Sequence, residues 1–123
     1  MKTKEKLQLL IFYEEKEELK EKHLKRLIKF SKDKDPLVRS SAASLLINFE
    51  NKAAKKALLG LAGDKKAMVR GEAYDSLSVF QRKDVEKFLK KAVEEEENEL
   101  ALSYAIMSWA DVAEARGKNV EEK

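Results

Sequence analysis

Few side chains in this sequence could do chemistry, and their types narrow what that chemistry could be. His23 is the single histidine and cysteine is absent. Thiolate metal sites, disulfides and the common nucleophile–base pairs therefore lack their parts. His23 stands among lysines in "KEKHLKR" and reads as a helix residue with its ring partly exposed. The acids Glu94 to Glu97 have no calcium-loop spacing; they read as a solvated helix end that favours a new helix starting near Asn98. Gly60, Gly63, Gly71 and Gly117 are scattered and build no phosphate-cradling loop. The residues point to no catalytic group, no metal site and no cofactor.

Charge at repeated spacing remains. Asp33 precedes Arg39 by six positions, and Asp64 precedes Arg70 by six. These pairs sit in two near-copies, "DKDPLVRSSAASLLINF" from Asp33 and "DKKAMVRGEAYDSLSVF" from Asp64, 31 residues apart. The shift also matches Val38 with Val69, Ala42 with Ala73, Leu46 with Leu77 and Phe49 with Phe80. Carried backwards it places Leu7 and Ile11 on Val38 and Ala42, and Gln8 on Arg39. Forwards, a shift of 32 places Ala101, Ala105 and Trp109 on Val69, Ala73 and Leu77, and Leu102 on Arg70. Lysines follow the same period: Lys25, Lys56 and Lys87 are equivalent, as are Lys52 and Lys83.

The elements that position these residues are helices. Ala, Leu, Glu and Lys dominate the 123 residues, which are 43% hydrophobic and 40% charged with one proline. Val38, Ala42, Leu45, Leu46 and Phe49 recur at three and four, as do Val69, Ala73, Leu77 and Phe80. Asp35 before Pro36 marks a helix start. Asn51 marks the next, and Gly63 before Asp64 suits a left-handed helix end. Second helices are expected to bury Leu24, Leu27, Ile28 and Phe30, then Ala54, Leu58 and Leu61, then Val85, Phe88, Leu89, Ala92 and Val93. Short connections make each pair an antiparallel hairpin. The spacing thus predicts one all-α domain over 1–117, of three hairpins and a last helix, with a frayed polar tail at 118–123.

The pattern resembles the HEAT-repeat family, in particular the short HEAT-like units of phycobilisome lyases. The residues that carry the likeness are Asp33, Val38-Arg39, Ala42 and Leu46, and again Asp64, Val69-Arg70, Ala73 and Leu77. The resemblance implies a right-handed α-solenoid of about three and a half stacked hairpins, with second helices lining a concave side. It implies a surface that holds partner proteins, although fold alone does not fix function. Bilin-lyase and alkylpurine-glycosylase relatives of this type are much longer chains. The glycosylase type uses a concave tryptophan, whereas Trp109 belongs to the last first-type helix. Each arginine is placed to reach the turn carboxylate of its own or the adjacent unit, making Asp33, Arg39, Asp64 and Arg70 a structural ladder. The alternative is ordinary exposed charge.

Net charge is +3, yet it is unevenly spread. Segments 20–34, 52–66 and 82–91 hold 17 Lys/Arg against 5 Asp/Glu, a net +12, leaving −9 elsewhere. Lys25, Lys52, Lys56, Lys83, Lys87 and Lys91, with Lys55, Lys90, Arg26 and Lys29, are the candidate docking ridge for an acidic protein segment. Lysines merely filling solvated faces are the competing explanation. Nucleic acid is the alternative partner, disfavoured by the lack of interleaved exposed aromatics or a base-reading element, and a pigment-chaperone role comes after it. The last helix leaves Leu102, Ile106 and Met107 without a second helix to cover them. That stripe is a candidate for self-association or another protein, unless the tail folds back over it. No apolar run approaches the roughly 20 residues of a membrane span, and "MKTKEKLQLLIFYEEKEE" lacks the form of a secretory signal. A cytoplasmic protein is expected.

Overall fold

The computed structural model describes residues 1–117; the tail expected to fray lies outside the described residues. Seven helices follow one another: α1 (Thr3–Glu14), α2 (Glu21–Phe30), α3 (Pro36–Leu45), α4 (Lys52–Leu61), α5 (Ala67–Leu77), α6 (Lys83–Glu95) and α7 (Glu99–Ala115). A 3-10 turn, Leu46–Asn48, extends α3, and no strand occurs among the described residues. Helix starts have local causes. The Asp35 carboxylate accepts from the Leu37 N–H at 2.8 Å with Pro36 in the first turn, and Asn51 and Asn98 accept from Ala54 and Ala101.

Gly63 corrects the sequence reading. Its φ is not positive; Gly117 is the only described residue in the left-handed region, at φ 85°. α4 ends instead in successive tight turns, Gly63 N–H to Gly60 O and Asp64 N–H to Leu61 O, which need no left-handed residue.

The odd-numbered helices stack side by side in one layer, α1 on α3 on α5 on α7. In the other layer α2 lies beside α4, and each second helix packs mainly on the first helix of the following unit. α2 therefore covers α3, α4 covers α5 and α6 covers α7, so every hairpin is held by its successor. The shared core contains Val38, Ala42 and Leu46, their copies Val69, Ala73 and Leu77, and Ala101 and Ala105, all buried. Leu24, Leu27, Leu58, Val85 and Leu89 enter it from the second layer. Small residues let the first layer close. At Gly71 an added Cβ would stand 2.8 Å from Tyr104 Cδ2, because α5 and α7 approach there more tightly than a methyl allows.

The first unit departs from the expected register. Ile11 is 55% exposed and does not play the part of the buried Ala42; Leu10 and Tyr13 are the buried residues of α1. Lys6 does what Arg39 does, bonding the next unit's aspartate, Asp33, at 2.5 Å. Matching Lys6 to Arg39 brings Leu10 onto Ala43 and Tyr13 onto Leu46, an offset of 33 rather than 31. The cause is a first helix two residues longer than α3, 12 residues against 10, while six residues separate each from the helix that follows and α2 keeps the offset of 31 from α4. Gln8, placed by the sequence at the arginine position, is exposed.

Candidate interaction surface

The charged residues fall into two groups: those that lock units together and those that remain turned to solvent. In the locking group Arg39 spans two units. Its Nε and Nη2 donate to Asp64 Oδ1 and Oδ2 at 2.8 and 3.2 Å, while Nη1 donates to the Asp33 and Lys34 carbonyls. The arginine thus meets the carboxylate of the adjacent unit and the backbone, not the carboxylate, of its own. Arg70 repeats the arrangement one unit on. Nε and Nη2 donate to the Glu96 carboxylate at 2.8 and 2.9 Å, and Nη1 to the Asp64 carbonyl at 2.9 Å. Bidentate pairing of this kind fixes orientation as well as contributing energy.

Glu96 is the member that sequence reasoning assigned to a solvated helix end. Its side chain is 4% exposed and also accepts from Tyr74 Oη at 2.8 Å and the Asn98 N–H at 3.0 Å. The same shift of 32 that places Leu102 on Arg70 places Glu96 on Asp64, so the signal was present. The Arg70 hydrogen bonds hold the Glu96 carboxyl down to about 2 against the opposing effect of burial. Burial, reinforced by Glu96, pushes the Tyr74 phenol up to about 12. Burial also raises Asp33 and Asp64, but hydrogen bonds from Lys6 and Arg39 respectively outweigh it and leave both carboxyls below their ordinary range.

His23 also corrects its sequence reading. It is 7% exposed, with its ring edge-on to Tyr13 at 4.9 Å, and Nδ1 accepts from the Lys20 N–H at 2.7 Å. The imidazole closes the start of α2 from the third helical position, reaching back to the Lys20 N–H as a glutamate or glutamine more commonly does. Burial first, then Lys16, Lys22 and Lys20, lowers its pKa. The neutral ring is thereby favoured.

The second group lies on α2, α4 and α6. Lys25, Lys52, Lys56, Lys83 and Lys87 are exposed and, among the described residues, belong to no ion pair. Lys25 shares a depression on α2 with Lys22, Arg26, Lys29 and Lys32, and no acidic residue lines it. Lys56 opens onto a groove between α2 and α4. Other members stand differently. Lys55 bonds Asp84 across to α6, which neutralises it. Lys91 lies 3.8 Å from Glu95 and lines a hollow with Glu95, Glu96 and Glu97. The acid-free depression thus lies on α2 and the turn after it.

At the far end, Ile106 is 45% and Met107 65% exposed, and Leu102 is half-buried. Arg70 and Tyr74 are the positions of α5 that face the following turn, and the shift of 32 makes Leu102 and Ile106 their equivalents on α7. Where earlier units offer a cation to the next turn acid, α7 offers a leucine.

Three helical hairpins and a last helix among the described residues, an Arg–acid pair bridging successive units and a two-layer stack are the features of a helical-repeat array. A family model for HEAT repeats matches residues 24–110. The chain belongs to the HEAT-repeat family. No curated protein and no solved structure matches it. HEAT repeats are generally protein-interaction scaffolds, and the family is typically non-catalytic. Among the described residues, no group of His, Cys, Asp and Glu is placed to hold a metal ion, and no helix of this HEAT-repeat protein is long and apolar enough to cross a membrane.

Proposed function

We propose that this HEAT-repeat protein is a non-catalytic scaffold that holds an acidic segment of a partner protein along α2, α4 and α6. One observation carries the reading. Lys25, Lys56 and Lys87 recur at the same position of consecutive second helices and are exposed, and no acid neutralises them among the described residues. Lysines needed for the fold would be expected to pair as Lys6 and Lys55 do. A surface of this kind speeds encounter with an acidic partner and binds it in a salt-dependent way. The test is fluorescence anisotropy of a labelled Asp/Glu peptide at low and high salt, beside a labelled random DNA duplex. Peptide binding that weakens with salt supports the reading. Preference for the duplex would transfer the surface to a phosphate backbone, and retention of neither would remove it.

A second contact is assigned to α7. Leucine at the arginine position leaves nothing to pair with the turn acid of another such unit, so the occupant must be uncharged there. A second copy meets that condition, with Leu102, Ile106 and Met107 set against their own counterparts about a two-fold axis. Sedimentation should show a dimer that Ile106→Glu dissociates. A clean monomer at high concentration would count against it.

A further inference from the structure

The groove between α2 and α4 differs from the rest of the lysine surface. It encloses about 530 Å³ and has an apolar lining of Ile28, Ala53, Ala57, Gly60 and Leu61. Three of these are small residues on one face of α4, at i, i+4 and i+7. Lys32 and Lys56, both exposed, also line it. The remaining charge in its wall, Asp64, is already held by Arg39 through both oxygens. The groove is thus an apolar slot with two free ammonium groups, next to the acid-free depression of Lys22, Lys25, Arg26 and Lys29.

The neighbouring groove shows that the slot is particular to this unit. One repeat further on, Ala53, Ala57 and Gly60 become Asp84, Phe88 and Lys91. Phe88, Lys91 and three glutamates line the hollow there. The period that copies the lysines does not copy the small residues. Between α2 and α4 space has been left, and at Gly60 an added Cβ would meet nothing within 4 Å.

We propose that the α2–α4 groove is an anchor pocket taking one aliphatic side chain of an acidic peptide. Flanking carboxylates of that peptide lie against Lys32 and Lys56. This rests on the basic-surface reading and adds the chemistry of the segment: acids around an obligatory apolar residue. The lysines set the encounter and the salt dependence. The slot sets which acidic segment stays.

The test uses two labelled peptides, Glu-Asp-Glu-Leu-Asp-Glu-Glu and the same peptide with Ser for Leu, titrated at low salt. Burying the leucine should make the first bind about tenfold tighter. Ala57→Phe, which installs the aromatic of the next unit, should bring the ratio of the two affinities close to one. Gly60→Leu fills the slot from a position with open space and should do the same; melting curves of both variants confirm that they are folded. Equal affinity for the two peptides on the unmodified protein would overturn the anchor and leave the basic surface standing. A ratio that survives both filled variants would also overturn it, placing the leucine elsewhere. Failure of both peptides to bind would remove the basic-surface reading and the anchor with it.

Discussion

Arg39 on α3 holds both carboxylate oxygens of Asp64, at 2.8 and 3.2 Å, across the boundary between two repeats. Both side chains are about nine-tenths shielded from solvent, so the pair is worth more than a surface bridge. Removing one partner strands the other. Arg39→Ala should cost about 3 kcal/mol. In a double-mutant cycle with Asp64→Ala the coupling should exceed about 1 kcal/mol. Additive losses in urea melts would show two independent charges and no lock.

Acid should loosen the same boundaries. The Glu96 carboxyl lies at about 2 when folded and 4.5 ordinarily. Its contribution is therefore complete above the unfolded value and is lost as pH falls from 4.5 towards 2. Asp33 and Asp64 are lowered in the same direction and add to the acid limb. On the alkaline side Tyr74 moves from 10.0 to about 12, so its contribution is complete below 10 and lost as pH rises between those values. Glu96→Gln should flatten the acid limb of melting temperature against pH, and Tyr74→Phe the alkaline limb. Unchanged slopes would contradict both assignments.

His23 adds a separate step nearer neutrality. With its pKa below 6.5, the fold favours the neutral ring. The stability it lends is present above 6.5 and declines as pH falls through the lowered value. His23→Ala should cost about 1 kcal/mol at neutral pH through the lost helix start. It should also remove the slope of stability between neutral and mildly acidic pH, measured by chemical denaturation. A slope that persists in the variant would assign it to other groups.

The closeness of α5 and α7 can be tested at one atom. Gly71→Ala puts a methyl 2.8 Å from Tyr104 and should cost about 1–3 kcal/mol by overpacking. Tyr104→Ala in the same chain should recover part of that loss. A neutral Gly71→Ala would mean that the helices move apart freely.

Much of this fold could be read before any coordinates. Asp35-Pro36, Asn51 and the apolar stripes of α3 and α5 each state their element locally, and the repeat states that they stack. What escaped depends on chain length and on unusual partners. The register of α1 was hidden because the two extra residues of that helix break the period, and apolar residues in α1 fit either offset. His23 was missed because imidazole is an uncommon helix cap. Glu96 sat among four consecutive glutamates, which disguised the one that is buried. Lys55 and Lys91 lie off the period that joins Lys56 and Lys87, since Glu86 and Gly60 take their equivalent positions, and each has an acid beside it, Asp84 and Glu95. The anchor groove is visible as Ala53, Ala57 and Gly60 once α2 is known to lie beside α4.

The most direct measurement is binding of the labelled acidic peptide to the triple variant Lys25→Glu, Lys56→Glu, Lys87→Glu, with its melting temperature taken in parallel. Binding should fall at least tenfold, about 1.4 kcal/mol or more, while helicity and melting stay close to those of the unmodified protein. Unaltered binding, or loss of binding together with loss of the fold, would contradict a docking surface made from these three lysines.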